Sequence, residues 1–136
     1  MRKAISLFIF ISLFSSAQAF AISAQQFYDK CHNINQSKSQ ETPSQAVTRA
    51  LEAGSCTGYV GGVINGVNLV GNMLGQQKAV KKNFICLTKN TQIQELLYES
   101  LQYIKEHEKL SDAPVQISIY NAMTANYPCT EFSTHQ

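Results

Sequence analysis

Cys56-Thr57-Gly58-Tyr59-Val60-Gly61-Gly62-Val63-Ile64-Asn65-Gly66-Val67-Asn68-Leu69-Val70-Gly71-Asn72 is the stretch on which the fold turns. Stepping 100° per residue gathers Asn65, Asn68, Asn72 and Gly61 into one narrow sector and sets Val60, Val63, Ile64, Val67 and Val70 opposite. That pattern predicts a central, mostly buried helix. Gly58, Gly62 and Gly66 recur along a third edge, where missing side chains let another backbone come close. Two readings of this edge stand side by side: tight helix packing within the monomer, or a close contact between subunits.

Upstream, Thr42 reads as an N-cap, Pro43 occupies the first helical position and Gln45 completes a capping box. Ala46, Val47, Ala50 and Leu51 then share an apolar face. Gly54-Ser55 is able to break this segment, so 44–75 is one long helix or two. Further upstream, Ser23 and Gln26 form another capping box, and Ile22 with Phe27 a hydrophobic staple, predicting a short helix that carries Phe27 and Cys31. The polar stretch from Asn33 to Glu41 is a surface loop.

Downstream, Gly71 to Asn83 reads as a polar connector containing Lys78, Lys81 and Lys82. From Thr91, with Gln94 three residues on, Ile93, Leu96, Leu97, Leu101 and Ile104 mark an amphipathic helix ending near His107. Glu106 to Ala113 is a hydrophilic connection. Asp112 is placed to cap a last helix with Pro114 in its first turn and Val115, Ile119, Ala122, Met123 and Tyr127 at helical spacing. Val115, Ile117 and Ile119 also alternate as a strand would, but the cap and the run from Ala122 to Ala125 favour helix. Pro128 ends it at Cys129. The sum is an all-α fold, a small bundle of four to five helices.

Met1-Arg2-Lys3, the apolar run Ala4 to Phe14 and the small residues Ala17 and Ala19 have the three parts of a secretory signal peptide. Cleavage after Ala19 is preferred, after Ala21 second. The run is about a dozen residues long, short of the roughly 20 that span a bilayer, which disfavours an uncleaved anchor. What remains, 20–136, has the length of a single domain. The formal charge of +2 resides in Arg2 and Lys3, since the rest holds nine Lys/Arg against nine Asp/Glu, and this leaves no basic footprint for nucleic acid. Hydrophobic residues at 44% suffice for a core, and charged residues at 15% exclude a charge-dense disordered tail.

Cys31, Cys56, Cys86 and Cys129 all lie beyond the leader, and an even count in a small exported domain reads as two disulfides. No Cys-x-x-Cys pair is present and His32 adjoins Cys31, which disfavours zinc. Three pairings are open. Cys31 with Cys56 and Cys86 with Cys129 is preferred, because each closes a moderate loop between the ends of neighbouring helices. The chain has no G-x-S-x-G elbow, dinucleotide turn, phosphate loop or H-E-x-x-H. His32, His107 and His135 read as solvated, and Glu106-His107-Glu108 as a helix end with at most weak cation affinity. No enzyme activity, catalytic residue, metal or cofactor is expected, and the profile is that of a binding module.

Cys56-Thr57-Gly58-Tyr59-Val60-Gly61-Gly62-Val63, read as C-x-G-Y-x-x-G-V with Gly58, Tyr59 and Gly62 as its structural motif, joins the run from Pro114 through Ala122 to Tyr127-Pro128-Cys129. Together with Cys31 and Cys86 these residues resemble the Rap/Tai family of type VI secretion immunity proteins over nearly all of the mature chain. Two departures are visible: no proline closely follows Cys86, and a commonly acidic position of the central helix is Asn65. The resemblance implies a periplasmic protein, often a homodimer, that sterically occludes a peptidoglycan amidase effector. It places the contact on the connection between late helices, hence Glu106, Glu108, Lys109 and Asp112 around an apolar anchor, Leu110.

A second class stays open. A small periplasmic helical chaperone resembling the HdeA group shares export, disulfides and helices, although nine carboxylates without dense clusters are a weak basis for an acid switch. A hydrolase is disfavoured by the missing nucleophile.

Overall fold

Residues 21–34, 41–76 and 84–129 are described by the computed structural model. They hold four α-helices, α1 (Ala24–Cys31), α2 (Pro43–Gln76), α3 (Ile93–Glu106) and α4 (Val115–Asn126), with a 3-10 turn at Glu108–Leu110. Among the described residues no strand forms; Ser23 with Pro114 and Ile85 with Pro128 make isolated antiparallel bridges. The leader, Lys78, Lys81, Lys82 and His135 lie outside the described residues.

The first two helices begin as their local chemistry dictates. Gln26 N–H donates to Ser23 Oγ at 3.2 Å while Ser23 N–H donates to Gln26 Oε1 at 3.1 Å, a complete capping box. Thr42 and Gln45 repeat it at the start of α2, where Thr42 N–H donates to Gln45 Oε1 at 2.9 Å. The later two depart from expectation. Helix α3 starts one residue later than Thr91 predicts, because Thr91 turns its hydroxyl onto Thr88 at 2.8 Å instead of capping. Asp112 does not cap α4: Pro114 takes the N-cap position without a side-chain hydrogen bond, and Val115 N–H donates to the Ile22 carbonyl at 3.0 Å. A strand-like tertiary contact replaces the local cap.

Helix α2 is one unbroken rod of 34 residues, which decides between one helix and two. Gly54-Ser55 does not break it, since glycine weakens a helix but deletes no hydrogen bond. The rod continues through Gln76, so Gly71 to Gln76 are helical and not connector. Nor is α2 mostly buried. Only Cys56, Val60, Ile64 and Gly71 are sealed, Val63 and Val67 are half-buried, and Val70 is 52% exposed.

Around that inner line the core assembles Phe27 from α1, Leu96, Leu97, Leu101 and Ile104 from α3, and Val115, Ile119 and Met123 from α4. The disulfides join Cys31 to Cys56, with Cα atoms 6.0 Å apart, and Cys86 to Cys129, at 5.0 Å. The first staples α1 to the inner face of α2; the second ties the approach to α3 to the end of α4. With sequence separations of 25 and 43, loop entropy assigns them roughly 3.5 and 4 kcal/mol. No described cysteine is left as a thiol.

Candidate functional site

The segment from Glu106 to Ala113 is a hard-cornered turn and not a slack connection. Helix α3 closes at His107, whose N–H donates to the Tyr103 carbonyl at 3.1 Å. Its ring stacks on Tyr103 with centroids 3.8 Å apart, and Nδ1 lies 2.8 Å from the Tyr103 carbonyl oxygen, which only accepts and so places the proton on Nδ1. His32 closes α1 on Tyr28 in the same way, 2.9 Å from the carbonyl and stacked at 4.9 Å. Both histidines serve as helix-end caps.

Beyond His107 the chain turns through three short-range hydrogen bonds, from Leu110 N–H to His107 O at 2.8 Å, Ser111 N–H to Glu108 O at 3.0 Å and Ala113 N–H to Leu110 O at 3.0 Å. The next two carbonyls are spent on α1. Ala24 N–H donates to Ala113 O and Gln25 N–H to Ser111 O, both at 2.9 Å. Those amides are among the donors a helix start leaves without an internal partner. Ser23 satisfies the next amide with its hydroxyl, so the loop and the capping box complete the N-terminus of α1 between them. The loop is thereby clamped to α1 and, through Ile22 and Val115, to the start of α4.

On that frame Glu106, Glu108, Lys109 and Asp112 are exposed and Leu110 is half-buried. The structure thus brings the five sequence-nominated residues onto one turn, three carboxylates against one lysine. What the sequence did not reveal is the clamp, because any residue supplies a backbone carbonyl and Ser111 and Ala113 carry no distinctive signal.

The C-x-G-Y box divides between two roles. Cys56 is in the disulfide, and Tyr59 wedges between helices, its ring 5.5 Å from Phe27 and its hydroxyl accepting from Gln116 Nε2 at 2.6 Å. Burial pushes the Tyr59 hydroxyl above its ordinary range. Gly58 and Gly62 face outward, and a side chain built on either would meet nothing within 4 Å, as also at Gly66. Among the described residues, then, nothing packs tightly against this edge. The inward glycine is Gly61, whose added Cβ would lie 3.4 Å from Ile93 Cδ1. At the other end of the bundle Tyr127 donates to Glu99 Oε1 at 3.1 Å and accepts Cys86 N–H on its carbonyl at 3.0 Å. Its hydroxyl is also pushed up, by burial first and by Glu99 second.

A shallow depression of about 360 Å³ lies between α1 and the start of α2, bordered by Lys30, Ile34, Glu41 and Arg49. There the Arg49 guanidinium is already engaged by Glu41, with Nη2 to Oε2 at 2.7 Å and Nε to Oε1 at 2.9 Å. Among the described residues no group of three His, Cys, Asp or Glu is gathered as a metal site, and no helix is long and apolar enough to cross a membrane.

No curated protein and no solved structure matches the chain. A family model does: that of the Rap1a immunity proteins, over residues 23–129. The match begins at the Ser23 cap and ends at the last cysteine, taking in both disulfides, the C-x-G-Y box and the clamped loop. The chain accordingly belongs to the family of Rap1a immunity proteins.

Proposed function

We propose that this protein is an immunity protein of type VI secretion that acts by steric occlusion of a peptidoglycan amidase effector, with no chemistry of its own. Residues 1–19 are its export leader, 20–136 a single helical domain, and its place of action is the periplasm. Two cross-linked cysteine pairs suit an oxidising compartment.

The observation that carries the reading is the turn from Glu106 to Ala113, whose charged side chains are exposed and whose backbone is clamped. A loop held by two hydrogen bonds to α1, and by three more within itself, is already ordered before it meets a partner. Little conformational entropy is then lost on binding. Glu106, Glu108, Lys109 and Asp112 supply charge complementarity at its rim, and Leu110 the apolar anchor. The homodimer that the family resemblance implies belongs to the same reading.

The test is capture of peptidoglycan amidases by the mature protein, followed by affinity measurements on Leu110→Ala and Asp112→Ala. A bound amidase whose affinity falls at least tenfold, about 1.4 kcal/mol, is expected for Leu110→Ala. Unchanged affinity in both variants removes the loop, and failure to capture any amidase removes the effector class.

A further inference from the structure

Helix α1 is 8 residues long, short of the roughly 12–15 that an isolated helix needs to persist in water. Its shape is therefore set by what holds it. On its inner face Ala24, Phe27 and Cys31 are all sealed, one line running the length of the helix. At the start of that line the amides of Ala24 and Gln25 donate to the carbonyls of Ala113 and Ser111, both at 2.9 Å. In the middle Phe27 lies against Tyr59, and at the end Cys31 is bonded to Cys56 of α2. About 10 Å of helix separates the clamp from the cross-link.

The loop from Glu106 to Ala113 has little else to hold it. Its 3-10 turn buries no residue, and Leu110 is half-buried. Among the described residues, the backbone of the loop reaches beyond itself and α3 at Ser111 and Ala113, and both bonds end on α1. Burial of Ala24 and Phe27 keeps α1 on the core, but burial is non-directional and fixes no register. A covalent bond does. We propose that the Cys31–Cys56 disulfide is a positioning element for this loop. By fixing the end of α1 to α2, it holds the two amides at the start of α1 where the carbonyls of Ser111 and Ala113 meet them, and so keeps the loop in the shape its partner encounters. The binding half of this inference rests on the loop being the partner contact, as proposed above; the ordering half stands without it.

The second disulfide is an internal control. Cys86 precedes α3 and Cys129 follows α4, so this cross-link lies at the far end of both helices from the loop, about 18–20 Å of helix away. It closes the longer stretch, a separation of 43 against 25, so on loop entropy alone its loss costs the whole fold at least as much. If the disulfides acted on the loop through overall stability, removing Cys86–Cys129 would loosen it no less than removing Cys31–Cys56. A positioning role inverts that order.

Amide hydrogen exchange on the mature protein, read by NMR, tests the ordering half. In the wild type the amides of Ala24, Gln25, Leu110, Ser111 and Ala113 are expected to exchange as one group with a common opening free energy. Loop amides that exchange freely while Ala24 and Gln25 stay protected overturn the proposal without any variant. Cys31→Ser/Cys56→Ser is then compared with Cys86→Ser/Cys129→Ser. Protection of the group is expected to fall roughly tenfold further in the first variant than in the second. An equal fall, or a larger one in the second, overturns the proposal. If the serine pair at this buried site does not fold, Cys31→Ala/Cys56→Val, which keeps the site apolar, takes its place with the same expectation. For the binding half, an amidase captured by the wild type is titrated with both variants, and affinity is expected to fall roughly tenfold in the first and by about threefold at most in the second. Equal affinities overturn the role in binding. Failure to capture any amidase removes the effector proposed above, and the exchange measurement still decides whether the disulfide positions the loop.

Discussion

On its inner face α2 presents Cys56, Val60, Ile64 and Gly71 to the bundle; half a turn round, Val47, Leu51, Leu69 and Met73 stand in solvent beside a row of glycines. The residue types are the same on both sides. What separates them is that α1, α3 and α4 all pack against one side, and the disulfide from Cys31 lands there too. Apolar content therefore cannot identify the core of this helix, and the two faces should respond to substitution in opposite ways.

The largest effect is expected on the inner face. Replacing both Cys31 and Cys56 by serine should remove roughly 3.5 kcal/mol, a large share of a marginal stability, read as a shift of the urea midpoint at unchanged slope. Val60→Ala, at a fully buried position, should remove about 2 kcal/mol, whereas Leu51→Ala, across the rod, should change monomer stability by less than about 0.5 kcal/mol. An equal loss at Leu51, measured at a dilution where only monomer exists, would abolish the distinction between the faces.

The glycines sharpen the contrast because they predict a gain. Gly58→Ala places a methyl group where no described residue lies within 4 Å and should stabilise the fold by about 1 kcal/mol. Gly61→Ala, facing Ile93 Cδ1 at 3.4 Å, should gain less. Thermal midpoints of the two variants, set beside that of the parent protein, check the sign and the order of the gains.

The smallest effect lies at the border of the two faces. Tyr59→Phe removes the hydrogen bond from Gln116 and should cost about 1 kcal/mol. The hydroxyls of Tyr59 and Tyr127 both hold their protons more tightly when folded than the ordinary value of 10.0. Their contribution is thus complete below that pH and is lost as pH rises through the folded values. Urea midpoints measured from neutral to strongly alkaline pH should be flat and then fall, and the fall should be shallower in Tyr59→Phe.

The two loops of helix-capping chemistry show where sequence reading reaches and where it stops. Ser23 with Gln26 and Thr42 with Gln45 form the boxes their spacing predicts, since each is complete within four residues. Thr91 and Asp112 carry the same local signal and do not cap, because Thr88 and the backbone of Ile22 reach the relevant groups first. The candidate loop was legible as an exposed charged turn between two helices. Its rigidity was not, for it comes from the carbonyls of Ser111 and Ala113 meeting amides of α1 some 90 residues earlier in the chain.

Helical class, element order and the preferred cysteine pairing follow from periodicity, capping residues and spacing, all of them properties of neighbours along the chain. Which side of α2 is the core, and that Gly58 and Gly62 look outward while Gly61 looks in, was settled only when the other helices chose a side. A helix amphipathic in one direction announces its buried face. A helix with apolar lines on two opposite sides announces only that both seek cover, and tertiary packing assigns which one is covered from within the chain.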